Sequence, residues 1–403
     1  MISIEKINEQ YGREMAVILQ ACRVYFNTAT IEDINNITKN ITVNWNEVLA
    51  ASKRHKIRPV VYKILLQAVL PSDILERIKK ELLQITQRNW ELACETERLI
   101  LLLKANGVEA IPYKGTAYSK QFYGDLISRE SSDIDLIIEF KDLDTIIELM
   151  QHDGYLGENV WVHEFLQEKN FRLNKDFNFN KFQQQKRLFH VEFHWRVAEN
   201  YCVLNNDANN FLWDTNINNA LVKKDLVLLS NEAHGMSIFM HHAFKDCFTL
   251  LRNIIDIGVF LQQQQLNWTK IQRRLQQTKC EKSFNLATEL ADSLFGIKSS
   301  YQPNPSLSKA FLKQLIVVNP VNMVEKKPTG FLMRKNQQMR SGVEKFNFLL
   351  KFYFTLLLPS IIDFRIVKLP RNFFFLYFFL KPIRFLFVRY NGVEEKKRFI
   401  PKE

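Results

Sequence analysis

Cysteine is scarce in this 403-residue chain and poorly arranged for covalent or metal chemistry. Cys22, Cys94, Cys202, Cys247 and Cys280 are odd in number, scattered and without a CxxC pair. That excludes a disulfide framework and a zinc knuckle, and makes a reducing compartment the default. A bilayer-spanning run of roughly 20 apolar residues is also missing. Residues 373–380 (FFFLYFFL) are expected to stop at Lys381-Pro382, and residues 346–362 are interrupted by Lys351 and Pro359. The opening residues MISIEKINEQYGREMAVILQ carry charge throughout instead of an apolar secretory core, so no export is expected and a cytoplasmic location is. Repeats and low-complexity tracts are absent too. Most of the chain even lacks excess positive charge. Of the net +12, a balance of +11 sits in residues 325–403, where 17 Lys and Arg face 6 Asp and Glu. The remaining body is near neutral, which does not favour nucleic acid as a partner.

What is present is ample apolar material, 46% of residues, in a chain long enough for two or three domains. Four regions are expected: an N-terminal helical region over 1–105, an α/β core over 106–225, a helical region over 226–300 that completes the site, and a basic Phe-rich tail over 301–403. Apolar residues recur at helical steps through the first region, with Asp73 and Glu76 as a capping box and Asn106-Gly107 as a stop. Residues 108–113 then read as a buried strand, broken by Lys114-Gly115-Thr116 before a helix-like run to Tyr123. A strand entering a helix through glycine exposes unpaired N–H groups and so offers an anion seat. The stretch SDIDLII over 132–138 reads as a second strand. Asp133 and Asp135, two residues apart, would project from one face about 6 to 7 Å from each other.

The segment 141–150 returns to helical spacing with Leu143, Ile146, Ile147 and Met150 inward. In 187–195 (RLFHVEFHW) the residues His190, Glu192 and His194 share one strand face and Val191, Phe193 and Trp195 the other. Helical spacing resumes over 231–275, where Lys245, Arg252 and Asp256 recur at steps of seven and four, so that an exposed Arg252–Asp256 pair beside core histidines is the plain reading. His55, Lys56 and Arg58 form a basic cluster, which a solvated helix face also explains. Asn304 and Pro305 mark a linker. The tail's basic and aromatic residues suit either an anionic membrane interface or packing onto the body.

Two strand aspartates joined by Glu192 make an all-oxygen site that suits Mg²⁺ or Mn²⁺. Lys114, Gly115 and Thr116 beside it would hold the phosphates of a nucleotide. A DxD can equally be a charged strand edge, and KGT a simple turn. Order is the more specific signal: turn first, DxD on the following strand, carboxylate on a later one.

These residues resemble the nucleotidyltransferase superfamily of polymerase-beta-like fold, with its G-[ST], D-x-D and later strand carboxylate. More closely, the chain is similar to bacterial uncharacterised nucleotidyltransferase family proteins, in which Lys-Gly replaces Gly-Ser. Tyr113-Lys114-Gly115, Tyr123-Gly124-Asp125, Arg129, Asp133-Ile134-Asp135 and Val191-Glu192-Phe193-His194-Trp195 carry the resemblance, with His242, Lys245, Arg252 and Asp256 downstream. It implies an α+β fold, a mixed-sheet core flanked by N- and C-terminal helical regions. It also implies metal-dependent transfer of a nucleoside monophosphate from an NTP to a small-molecule, peptide or protein acceptor, with release of pyrophosphate. Asp133, Asp135 and Glu192 would be catalytic metal ligands; Lys114, Gly115, Thr116, Arg129, Lys245 and Arg252 would bind the nucleotide. Two departures stand out: Glu192 replaces the usual aspartate, and sixteen residues separate Thr116 from Asp133. They motivate the alternative of a non-catalytic nucleotide-binding regulatory or antitoxin-like module, membrane-peripheral through its tail.

Overall fold

The structure, a computed structural model, describes residues 1–39, 42–158, 175–197, 212–298, 335, 341–357, 367 and 369–388. Six helices come first: α1 Ile4–Tyr11, α2 Arg13–Tyr25, α3 Ile31–Lys39, α4 Trp45–Arg54, α5 Arg58–Leu65 and the long α6 Ser72–Ala105. The expected capping box does not form. Pro71 precedes Ser72 as the cap, and no side chain caps the helix, because proline's fixed φ starts it two residues before a cap at Asp73 would. The stop is as expected: Asn106 caps α6 and Gly107 takes φ +76°.

The sheet follows as β1 Ala110–Pro112, the helical turn α7 Gly115–Tyr118, β2 Ile134–Ile138, α8 Leu143–His152, β3 Leu156–Gly157, β4 Asp176–Gln183 and β5 Lys186–His194. Both short expectations were over-long. Val108 is spent on the α6 carbonyl of Leu103, and Asp133 lies just ahead of β2 rather than in it. The strand order is β1-β2-β5-β4-β3, with β2 and β5 parallel and the other pairs antiparallel. This is an α+β fold with a mixed sheet and flanking helices. Helix α8 buries the four residues its spacing marked, Leu143, Ile146, Ile147 and Met150.

A hairpin, β6 Thr215–Ala220 with β7 Asp225–Leu229, leads into α9 Asn231–His241, a wide turn His242–Asp246, α10 Leu251–Leu261, α11 Trp268–Thr278 and α12 Glu281–Phe295. In the tail, α13 Gly342–Leu357 and α14 Tyr377–Val388 are described, the latter after a 3₁₀ turn Arg371–Leu376. Contrary to expectation α14 runs on through Lys381 and Pro382, since one lost hydrogen bond need not end a helix whose neighbours remain helical. The expected linker at Asn304 and Pro305, and Pro359, lie outside the described residues. No described helix is long and apolar enough to cross a membrane.

Alternation along β2 assigns the two faces of the sheet. Ile134, Leu136 and Ile138 join Leu143, Ile146 and Met150 of α8 and Leu99 and Leu103 of α6 in one apolar cluster. Ile137, with Ile111 and Tyr113, faces the opposite cluster, built from α1 to α5 and α9 to α12. Asp135 has the parity of Ile137, so it points toward the helices that arrive from both ends of the chain.

Candidate active site

The site is made by strand pairing. Asp135 and Glu192 are Cα partners across β2 and β5, so their side chains leave the same face side by side. His194 Nε2 lies 2.9 Å from Asp135 Oδ1 and 3.1 Å from Glu192 Oε2, and the Lys114 ammonium donates to the same Asp135 oxygen at 2.9 Å. His190 flanks Glu192 at 3.4 Å and meets Asn180 Oδ1 at 2.8 Å. Side-chain ligand atoms of Asp135, Glu192 and His194 all fall within 4.8 Å of one another, a span that one cation can bridge.

Charge in this group can be read from its partners. Burial works against ionising Asp135, but Lys114 and His194 outweigh it and hold its carboxyl below the usual range. Glu192 is likewise buried yet held far below its usual value by the two histidines and Lys114. Burial and the Lys114 charge push His194 down, so its imidazole is neutral. With the proton on Nε2, shared by two carboxylates, Nδ1 is an acceptor that has no hydrogen-bond partner among the described residues, and the Asp176 carboxylate 3.7 Å away, itself paired with Lys175, has no proton to give it. His190 shifts upward, chiefly through its bond to Glu192.

Lys114 occupies a strained turn, with φ +55° at a non-glycine position followed by Gly115 at +42°. It is this positive φ that favours glycine at 115, since a Cβ there would meet the Asp133 carbonyl at 3.4 Å, close to an ordinary contact. The Lys114 N–H is spent on His234 Nε2 at 3.1 Å, whose Nδ1 donates to Gln121 at 2.7 Å. Tyr118 N–H closes the turn on the Lys114 carbonyl at 2.8 Å. Thr116 is buried.

Asp133 sits at the mouth, half-buried and outside the three-residue group, with no hydrogen bond to its carboxylate among the described residues. Its electrostatic neighbours include Lys56 and Arg252. The Arg252 Nε is buried without a partner, and burial together with Arg129 holds that guanidinium below its usual value. The expected Arg252–Asp256 pair does not form. Asp256 instead takes Arg129 Nε at 3.0 and 3.1 Å, Tyr123 Oη at 2.6 Å and His242 Nε2 at 2.8 Å, all in the interior. Arg129 is therefore placed in a buried ion pair away from the carboxylate group. Lys245 is exposed at the rim. His241, His242 and Asp246 form a second cluster of metal-ligand type, but His242 has both ring nitrogens engaged, by Asp256 and by the Asn253 amide at 2.7 Å.

Lys56 is exposed, in keeping with a solvated face, yet Asp133 and Arg252 are among its electrostatic neighbours. A tertiary contact sets that neighbourhood, the Leu251 N–H donating to His55 Nδ1 at 3.2 Å, which fastens the α4–α5 turn to the start of α10. Nothing in local spacing signals that bond, nor the one from Lys114 to His234.

A family model described as uncharacterised nucleotidyltransferase matches residues 42–296, well over half of the chain. The protein belongs to the uncharacterised nucleotidyltransferase family. The match spans every element that contributes to the site, from Lys56 through Lys114, Asp135 and Glu192 to Arg252. No curated protein and no solved structure matches the chain. Membership identifies a transferase in general terms, acting on an NTP.

Proposed function

We propose that this nucleotidyltransferase moves a nucleoside monophosphate from an NTP to an acceptor hydroxyl, with Mg²⁺ or Mn²⁺ as its cofactor. The observation that carries the reading is the side-by-side pair Asp135 and Glu192, ionised and adjacent, on parallel central strands. Two carboxylates with a neutral imidazole suit a hard divalent cation. Asp135, Glu192 and Asp133 would hold it, with His194 either donating to the carboxylates or ligating after its proton moves to Nδ1, beside Asp176. Bound there, the ion would neutralise phosphate charge and polarise the phosphorus–oxygen bonds.

The protein's own groups would do the rest. Lys114 would exchange its contact with Asp135 for a phosphate oxygen, assisted by the first-turn N–H groups of Gly115 and Thr116. Arg252, Lys56 and Lys245 would face the leaving pyrophosphate from the mouth. The acceptor oxygen attacks the α-phosphorus, the bond to the bridging oxygen of the β-phosphate breaks, and the acceptor's proton passes to a carboxylate. Asp133, free of hydrogen bonds, is best placed to receive it. Arg129 would support this site from below through Asp256 without touching nucleotide.

The test is incubation with labelled NTPs, Mg²⁺ or Mn²⁺ and a cell extract supplying acceptors. Label transfer should fall by about a hundredfold or more in Asp135→Asn and in Glu192→Gln, with the fold retained. Transfer that survives both substitutions would sink the assignment.

A further inference from the structure

More than half of the exposed large apolar side chains among the described residues lie between positions 343 and 383. Their placement is regular. On α13 the exposed Val343, Phe346, Leu350 and Phe354 follow one another at steps of three and four, which lines them along one helix face. Phe346 is 64% exposed, whereas Phe348, on the other side of the helix, is 2% exposed. Beside α13, the segment containing α14 presents Phe375 and Phe379 at 57% and 65% exposure. The two helices pack against each other, so their apolar rows form parts of one surface.

Amphipathic helices normally turn such a face inward. Here the inward side is satisfied by Phe348, and the outward side is the apolar one. Three observations indicate what meets it. The tail holds nearly all of the chain's excess positive charge, +11 of +12, which complements an anionic partner. Its 16-residue helix α13 is about 24 Å long at about 1.5 Å per residue, shorter than the roughly 30 Å hydrocarbon layer, and carries Lys351 within it, so it would lie along an interface rather than cross it. The tail also lies beyond residue 296, where the family match ends.

We infer that the α13–α14 surface docks on an anionic phospholipid bilayer, inserting its phenylalanine and leucine side chains into the headgroup boundary while Lys351 and other basic residues of the tail meet lipid phosphates. Each part supplies what the other lacks: apolar burial holds the protein down, and charge selects an acidic surface.

The experiment is flotation of the full chain with two kinds of vesicle, phosphatidylcholine alone and phosphatidylcholine mixed with phosphatidylserine. Bound protein should be at least about tenfold higher on the acidic vesicles. The triple substitution Phe346→Ser, Leu350→Ser, Phe354→Ser should lower that binding by about tenfold or more with the circular dichroism melt unchanged, because each of these side chains is more than half exposed. Should this variant lose helical signal, Phe375→Ser with Phe379→Ser carries the same expectation. Equal binding to both vesicles, or binding indifferent to the substitutions, would overturn the inference. So would light scattering that shows a dimer converted to a monomer by the triple substitution, which assigns the face to a second copy.

Discussion

Histidine is the residue type whose behaviour here departs furthest from its appearance in the sequence. His234 is fully buried, accepts the Lys114 N–H and is pushed down to about 3 by burial and by Arg129. His55, also buried, falls to about 4 through burial and Arg54. His241 and His194 shift the same way. A histidine with a folded pKa below its unfolded one takes up a proton on unfolding at intermediate pH. Its contribution to stability is therefore complete above about pH 6.5 and is lost as pH falls toward the folded value. His234, whose folded value is about 3, adds a slope of about 1.4 kcal/mol per pH unit in that window. His234→Gln, which keeps an acceptor for the Lys114 N–H, should remove one such increment between about pH 6 and pH 4.5. Urea unfolding of both proteins across that window measures it, and an unchanged slope would show that His234 is not held neutral. His190, raised by Glu192, opposes the trend and belongs to the site rather than the core.

At the scale of elements, the approach of α9 to α10 is set by a glycine whose value is its missing side chain rather than its φ. A Cβ on Gly235 would stand 2.2 Å from Phe260 Cε2, and Phe260 is itself fully buried with nowhere to swing. Gly235→Ala should push the two helices apart and cost about 1 to 3 kcal/mol. A thermal or urea melt equal to that of the unsubstituted protein would show that the interface yields freely. Because α10 carries Arg252 and Asp256, the same change should also disturb the site's upper wall. The loop between α7 and β2 is positioned in a comparable way: Asn89 of α6 donates to the carbonyls of Leu126 and Arg129 at 2.7 and 2.8 Å, and its oxygen accepts from Ser131. The long spacer between Thr116 and Asp133 is thereby ordered, with Asp125 capping Ile127 and Ser128 and pairing with Lys63.

For the whole molecule, α1 to α3 lie outside the matched residues 42–296 but not outside the interior. Every residue of α2 from Ala16 to Arg23 is buried, and Arg23 donates to the Leu294 carbonyl of α12 at 2.8 Å and to the Ile2 carbonyl at 2.6 Å. A chain beginning at residue 42 would lay bare the faces of α5 and α12 that α2 covers, and should be recovered insoluble or with a melt lowered by well over about 10 °C. Soluble protein with an undiminished melt would mean that the first helices are an accessory. The two helical regions at either end of the sheet thus share one apolar cluster, which is why residues as far apart as Lys56 and Arg252 both come within electrostatic reach of Asp133.

Local pattern by itself determined a good deal. The period of the apolar residues fixed α8 and its four inward side chains, the Asn106-Gly107 pair fixed the end of α6, and strict alternation placed His190, Glu192 and His194 on one face of β5. These are consequences of backbone geometry within a few residues. Pairing across the sheet was beyond that reach: only the parallel register of β2 and β5 sets Glu192 beside Asp135 and leaves Asp133 at the mouth. The partner of each buried charge was also decided by the fold. Asp256 could have met Arg252 four residues away, yet it takes Arg129 from a loop more than a hundred residues earlier, because burial favours the carboxylate position where a guanidinium, a phenol and an imidazole all donate at once.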